Sequence, residues 1–224
     1  MTLTDVLDHE MKSSLVSPSK SIVFVVDDDV SVREALEFLI GAAGWQPKLF
    51  ATAQAFLDDY PTSEPNCLVL DIALPGLNGL DLQKRIMTER PEMQIIFITG
   101  NGDVPKSVQA MKAGAVEFLT KPFADRDLLD AIHQALERSR NSLGVAAEMR
   151  VLSKRYESLT HREQEVMKLV VAGLLNKQVG GELGISEITV KAHRGKVMQK
   201  MGADSLADLV KMAAKLRLDS PGSA

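Results

Sequence analysis

Thiol chemistry is nearly absent from this 224-residue chain: Cys67 is its one cysteine, set inside an apolar run. With no second cysteine, a disulfide framework and a cysteine-based zinc site are both excluded, which fits a reducing compartment. Long hydrophobic runs are missing too. Residues 1–20 carry Asp5, Asp8 and Glu10 and hold no apolar stretch fit for a signal-peptide core or a membrane span. They are expected to form a short leader, partly helical or disordered, and no membrane partner is expected. Hydrophobic content of 45% and charged content of 25% are those of a globular protein, and the length accommodates two domains.

Charge is where the chain is uneven. Its formal net charge is −4, yet from Ser158 to Arg217 ten Lys and Arg face six Asp and Glu. That stretch is therefore +4 and the remainder −8. An acidic front and a basic back point to two modules with different partners, the basic one suited to nucleic acid.

In the front, short apolar runs alternate with helical periodicity. Residues 21–26 are β-rich and lead directly into Asp27-Asp28-Asp29, and Cys67-Leu68-Val69-Leu70 ends on Asp71. Residues 48–50, 94–98 and 115–119 supply three more strands, the last two ending at Thr99-Gly100 and Thr120-Lys121-Pro122. Helical patterns lie between and after them; in the first, Val32, Ala35, Leu36, Leu39 and Ile40 share one face, with Gly41 and Gly44 as stop signals. Continuous apolar strands are those of a parallel sheet buried on both faces. Five strands alternating with five helices predict an α/β, flavodoxin-like, doubly wound five-stranded parallel sheet.

In such sheets the ligand crevice lies beyond the carboxyl ends of the strands. The sequence puts Asp27, Asp28, Asp71, Thr99 and Lys121 at those ends. A single aspartate there can merely turn the chain; four strand ends with matching chemistry make a site. Adjacent carboxylates repel one another and need a cation or solvent, and their oxygens suit a hard divalent ion such as Mg²⁺. A lysine and a hydroxyl suit a phosphoryl group. An aspartate beside a bound cation can act as a nucleophile toward phosphorus.

Residues 21–138 resemble the receiver domain of bacterial two-component response regulators. The resemblance rests on Val-Val-Asp-Asp-Asp (25–29), Leu-Asp-Ile-Ala-Leu-Pro-Gly-Leu-Asn-Gly (70–79), Ile-Thr-Gly (98–100) and Lys-Pro-Phe (121–123). It is strongest for the FixJ-type subgroup, through residues 98–105 and 111–118. This resemblance implies that Asp71 accepts phosphate from a cognate sensor histidine kinase. It implies that Asp27, Asp28, Asp71 and the backbone carbonyl of Ala73 hold Mg²⁺ or Mn²⁺, and that Lys121, followed by a cis proline bond, pairs with the phosphoryl oxygens. Thr99 and Phe118 would be a switch pair that moves inward on phosphorylation, and Asn101 would tune phosphoryl lifetime. In FixJ-type relatives the face of the fourth helix, fifth strand and fifth helix dimerises; Val108, Lys112 and Glu117 occupy it here.

From Arg138 to Tyr156 the pattern loosens, and a linker (139–156) is expected, a helical extension broken near Gly144. Beyond it Thr160 and Glu163 form a capping box for a helix with Val166, Leu169 and Val170 inward. Asn176 is the expected cap of a short helix carrying Val179 and Leu183, ended by Gly184. Ser186 caps a longer helix with Ile188, Val197 and Met201 expected inward and Thr189, Lys191, His193, Arg194 and Lys196 outward. Asp204 or Ser205 opens a last helix. A short helix, a tight turn and a longer basic helix form a helix-turn-helix, whose second helix enters the DNA major groove.

Residues 159–166, 173–179 and 183–194 resemble the LuxR-type DNA-binding domain. By position, Lys191, Ala192 and Gly195 would face base edges, while Lys177, Thr189, Arg194 and Lys196 would contact phosphates. The chain departs from that family at Leu175, where a small capping residue is usual. It departs again at Gly180-Gly181, each expected to weaken its helix by on the order of 1 kcal/mol, and at Gly195, which offers no side chain to read a base.

The expected organisation is a leader (1–20), a receiver (21–138), a linker (139–156), an all-α, four-helix helix-turn-helix domain (157–217) and a tail (218–224). The expected function is that of a cytoplasmic transcription factor, activated by phosphotransfer to Asp71 through homodimerisation, release of the helix-turn-helix, or both. Promoter DNA and RNA polymerase are its further partners. An aspartyl-nucleophile phosphatase would carry a second acid two residues after Asp71, where Ala73 stands, so self-phosphorylation and slow autohydrolysis are expected instead of turnover. The rival is a phosphorylation-independent DNA binder with a passive dimerisation receiver.

Overall fold

The computed structural model describes residues 21–59, 64–90, 92–100 and 104–218. The expected leader, Asn101 and all but Leu218 of the expected tail lie outside them. Two compact units divide the chain between Leu143 and Gly144.

In the first unit, β1 (Ile22–Val26), β2 (Gln46–Phe50), β3 (Asn66–Asp71), β4 (Gln94–Thr99) and β5 (Glu117–Thr120) form one parallel sheet in the order β2-β1-β3-β4-β5. Successive side chains of a strand point to opposite faces, and here both faces are covered. Phe24, Leu68, Leu70, Ile95 and Phe97 meet Phe56 of α2 (Ala53–Asp58) and Leu82 and Ile86 of α3 (Gly79–Glu89). Val23, Val25, Cys67, Val69, Ile96 and Ile98 meet Leu36 and Ile40 of α1 (Val30–Ala42) and Leu128 and Ile132 of α5 (Asp125–Glu157). Double coverage is why the central strands are unbroken apolar runs. Ala35, expected on the inner face of α1, is exposed. Edge strand β2 starts two residues earlier than expected and includes Pro47, which an edge position tolerates. Strand β5 starts two residues later than expected. The short α4 (Val104–Lys112) follows β4, with Ala110 buried.

The expected break near Gly144 is not there: α5 runs 33 residues through it. A glycine costs a helix about 1 kcal/mol, and the Ala-Ala-Glu-Met-Arg that follows Val145 supplies good helix formers on one side of it. The supposed linker also has anchors: Ser139 is buried and its Oγ accepts the Asn66 N–H at 3.1 Å, and Leu152 is buried in the second unit's core.

That core gathers Val166, Met167 and Val170 of α6 (His161–Val171), Val179 of α7 (Asn176–Leu183), Val190, Val197 and Met201 of α8 (Glu187–Met201), and Leu209 and Ala213 of α9 (Leu206–Lys215). Three expectations change here. Ile188 is 80% exposed and Val190 takes the inward place; from Ile188 to Val197 is nine residues, about two and a half turns, which puts the two on opposite faces. Asn176 is not the cap of α7 but its first residue. Leu175 holds the cap position with no side-chain cap bond, and its N–H donates to Gln178 Oε1 at 2.8 Å instead. Gly180 is not simply a weak point, because a Cβ there would lie 2.7 Å from the Ile185 carbonyl oxygen. The turn between α7 and α8 needs that close approach.

Candidate functional site

Strands β1 and β3 pair with Val26 opposite Leu70, so Asp27 and Asp71 leave adjacent strands side by side. This is also where the sheet order changes direction, the place where such folds bind ligands. Asp27 and Asp71 are buried while the neighbouring Asp28 is exposed. Ligand oxygens of all three lie within 4.8 Å of one another. Lys121, just past β5, reaches across: its Nζ is 2.6 Å from Asp27 Oδ2 and 2.8 Å from Asp71 Oδ2. Its backbone N–H donates to the Thr99 carbonyl at 2.7 Å, which ties the lysine to the end of β4. The Lys121–Pro122 bond is cis.

The second carboxylate oxygens face backbone donors. Asp27 Oδ1 accepts the Asp29 N–H at 2.9 Å and Asp71 Oδ1 the Ala73 N–H at 2.8 Å. Burial pushes the Asp27 carboxyl above its ordinary range, and the bonds from Lys121 and the Asp29 N–H offset this only in part. Burial alone would lower Lys121, but its hydrogen bonds to Asp27 and Asp71 outweigh that and hold it above its ordinary value. Lys121 is thus a fixed cation between two carboxylates. Asp29, third of the acidic run, stays outside this group and caps α1 by accepting the Ser31 N–H at 2.8 Å.

Two contributors escape a reading of the sequence. The Arg33 guanidinium donates to the Asp27 carbonyl at 2.7 Å, and a spacing of six residues from the end of a strand into the following helix gives no hint of it. A Cβ on Gly79 would lie 2.6 Å from the Asp71 carbonyl oxygen and 3.2 Å from the Phe97 ring, so α3 can start against the end of β3 only with glycine there. A glycine at a helix start right after a Pro-Gly turn is the one available signal, and it looks like more turn. Thr99 is buried at the end of β4. Phe118 is half-buried, its ring centroid 6.4 Å from that of Phe97. On α4 and at the start of β5, Val108, Lys112 and Glu117 are exposed, along with Val104 and Met111.

In the second unit the capping box of α6 is present: the Thr160 N–H donates to Glu163 Oε2 at 2.9 Å and the Glu163 N–H to Thr160 Oγ1 at 3.3 Å. Glu163 is buried and also accepts from Lys200 Nζ at 2.6 Å. The hydrogen bond from Lys200, with that from Thr160, pulls its carboxyl down to about 2. This pair locks the end of α8 to the start of α6. Lys177, Lys191, Ala192, Gly195 and Lys196 are exposed on α7 and α8. Lys191 pairs with Glu187 at 3.2 Å. Thr189 and Arg194 are half-buried and partly engaged, Thr189 Oγ1 with Ser186 Oγ at 2.8 Å and Arg194 Nη1 with Asn176 Oδ1 at 3.2 Å.

Residues 23–133 match the family model of the response regulator receiver domain, and residues 157–213 that of bacterial regulatory proteins of the luxR family. Nodulation protein W of Bradyrhizobium diazoefficiens is 48% identical over 202 residues, covering 90% of this chain and 89% of that one. The chain belongs to the response regulator family. Among solved structures, that of the response regulator StyR superposes with a TM-score of 0.80 at 46% identity, covering 88% of this chain and 99% of that one. Full-length FixJ from B. japonicum does so with a TM-score of 0.54 at 40% identity, covering 90% and 99%. This response regulator therefore combines a receiver with a LuxR-type DNA-binding domain and regulates transcription. Its family is one of regulators, not enzymes, and implies a histidine-kinase partner and DNA binding. The three carboxylates fit a hard cation by donor type and spacing. Among the described residues no helix is long and apolar enough to cross a membrane.

Proposed function

We propose that Asp71 is the phosphoacceptor and that its phosphorylation switches a homodimerising, DNA-binding regulator in the cytoplasm. The observation that carries this reading is Asp71 itself, a buried carboxylate with Lys121 Nζ at 2.8 Å and two further carboxylates beside it. A carboxylate oxygen of Asp71 attacks the phosphorus of a kinase phosphohistidine. The O–P bond forms as the P–N bond breaks, and the imidazole keeps the electron pair and takes a proton from solvent. Asp27, Asp28, Asp71 and the Ala73 carbonyl would hold Mg²⁺ or Mn²⁺, which supplies charge neutralisation for the phosphoryl oxygens. Lys121 is already fixed at the right place and exchanges carboxylate oxygens for phosphoryl oxygens. Ala73, two residues on, brings no side-chain acid, so hydrolysis of the acyl phosphate is slow.

The signal then passes outward. Thr99 at the end of β4 hydrogen-bonds the new phosphoryl group, Phe118 follows it inward, and the surface of α4 and β5 around Val108, Lys112 and Glu117 becomes the dimer face. Asn101 sets the phosphoryl lifetime. Two protomers present two copies of α8 to adjacent major grooves, with Lys191, Ala192 and Gly195 toward base edges, Lys177, Thr189, Arg194 and Lys196 toward phosphates, and RNA polymerase as a further partner. The receiver occupies residues 21–138 and the DNA-binding domain 157–217.

The test is the molar mass in gel filtration, with and without beryllofluoride plus Mg²⁺, of the wild type and of Asp71→Asn, with binding to promoter DNA followed in parallel. A shift from monomer to dimer with tighter DNA binding, seen only in the wild type, is expected. Equal mass and equal DNA binding in all four samples would leave a phosphorylation-independent regulator.

A further inference from the structure

The outermost stripe of α8 is not the basic one. Buried Val190, Val197 and Met201 fix the phase of this helix. Opposite them, at helical spacings of four and three, stand Ile188, Ala192 and Gly195, all exposed, followed by Gln199. Lys191 and Lys196 lie to either side of that stripe. Ile188 is 80% exposed and sits in the first turn of the helix. A Cβ added at Gly195 would meet nothing within 4 Å. The face that points furthest from the core therefore tapers from isoleucine through alanine to glycine. It offers no hydrogen-bonding side chain over its first two turns.

We infer that this regulator reads thymine methyl groups, with Ile188 as the principal specificity residue and Ala192 beside it. The inference rests on the reading of α8 as the helix that enters the major groove. In that groove an A·T pair presents the thymine C5-methyl as its apolar feature, whereas G·C and the other edges present donors and acceptors. Recognition helices contact bases chiefly through their N-terminal residues, which is where Ile188 stands. Folding does not use this side chain, for it lies on the solvent face. The flanking lysines carry the charge complementarity that identifies the occupant as DNA and not an apolar protein surface: exposed Lys191 and Lys196 on either side of an uncharged ridge suit a polyanionic groove, Lys196 toward phosphate and Lys191 toward a neighbouring base edge. Gly195 then lets the backbone approach the bases closely in the second half of the helix.

The experiment starts from duplexes selected out of a random pool by the full-length chain with beryllofluoride and Mg²⁺. Each thymine of the selected site is replaced in turn by deoxyuridine, which deletes one methyl and leaves the hydrogen-bonding edge intact. For the wild type, at least one thymine per half-site is expected to weaken binding by about fourfold when its methyl is lost, the value of one buried methyl. Ile188→Ala, which sits on an exposed position and keeps helix propensity, should bind the thymine site more weakly and lose its preference for thymine over uracil there. Lys196→Ala should instead weaken all duplexes alike and flatten the salt dependence. Indifference of the wild type to every uracil overturns the inference, as does an Ile188→Ala variant that keeps the full thymine preference. Unchanged affinity of Ile188→Ala on all duplexes does so too, and would assign its exposed side chain to a protein contact. If the wild type selects no duplex and binds none, the DNA-reading role of α8 itself has failed, a pattern distinct from the other three.

Discussion

Each unit of the chain contains a buried carboxylate within 2.6 Å of a lysine, and the two pairs behave in opposite ways. In the second unit Lys200 meets one carboxylate, Glu163, whose other bond comes from the Thr160 N–H; the charge is matched, and the carboxyl is pulled down to about 2. In the receiver Lys121 is shared between Asp27 and Asp71 with Asp28 alongside. There burial wins and the Asp27 carboxyl is pushed up. Matched charge closes a helix cap and is finished; unmatched charge is left with an appetite for a cation or for a group that brings one. The same two residue types thus make a strut in one place and a site in the other, and what separates them is the number of carboxylates per lysine.

Removing the lysine should separate the two most strongly. Lys200→Met leaves Glu163 buried without its partner, which typically costs about 3–5 kcal/mol. The low end, about 3 kcal/mol of stability in urea unfolding, is expected because the Lys200 side chain is 34% exposed. Mg²⁺ should not restore it. Lys121→Met should also destabilise, but there Mg²⁺ should recover most of the loss, since a bound cation can neutralise the same carboxylates. Equal responses to Mg²⁺ would break the comparison.

The acid limb of the stability profile sharpens it. The folded-state value of Glu163 lies below its ordinary 4.5, at about 2. Its contribution is therefore full above about 4.5 and is lost as pH falls toward 2. Thermal melts of the wild type over that range should lose stability that Glu163→Gln has already forfeited, so the two curves converge at low pH. Curves that stay parallel would mean that the carboxylate is not what the lysine holds.

Glycines rank next, and they show where the sequence could and could not be read. The strand ends were legible because a carboxylate or lysine at the edge of an apolar run is out of place for packing; that logic needs no knowledge of distant contacts. The sheet, its order and the capping box at Thr160 followed from local patterns of the same kind. Lys200 was not legible, being 37 residues from Glu163 on another helix. Nor was the role of Gly79 or Gly180, because tolerance for a Cβ depends on what folds against it. Ile188 is apolar enough to suggest an inward position, yet it lies half a helical rotation from Val197, and Val190 is buried in its stead. Gly180→Ala should destabilise by about 2 kcal/mol, the usual cost of forcing an atom into a packed contact. Gly181→Ala, with nothing within 4 Å of its new Cβ, should stabilise by about 1 kcal/mol. Differential unfolding of the two variants checks both signs at once.

The smallest change tests the receiver's half of the comparison most directly. Asp28 is exposed, so replacing it by Asn removes charge without making a cavity or stranding a buried group. Without metal, stability should move by no more than about 0.5 kcal/mol, in the favourable direction if crowding with Asp27 and Asp71 is felt. With Mg²⁺ the wild type should gain stability in proportion to the logarithm of metal concentration over its dissociation constant, and Asp28→Asn should gain far less. A near-silent substitution that erases a metal response is what unmatched charge predicts. Were Asp28→Asn instead to destabilise the metal-free protein by as much as Lys200→Met does, the acidic group would be a strut like the other, and Asp28 would owe its place to folding.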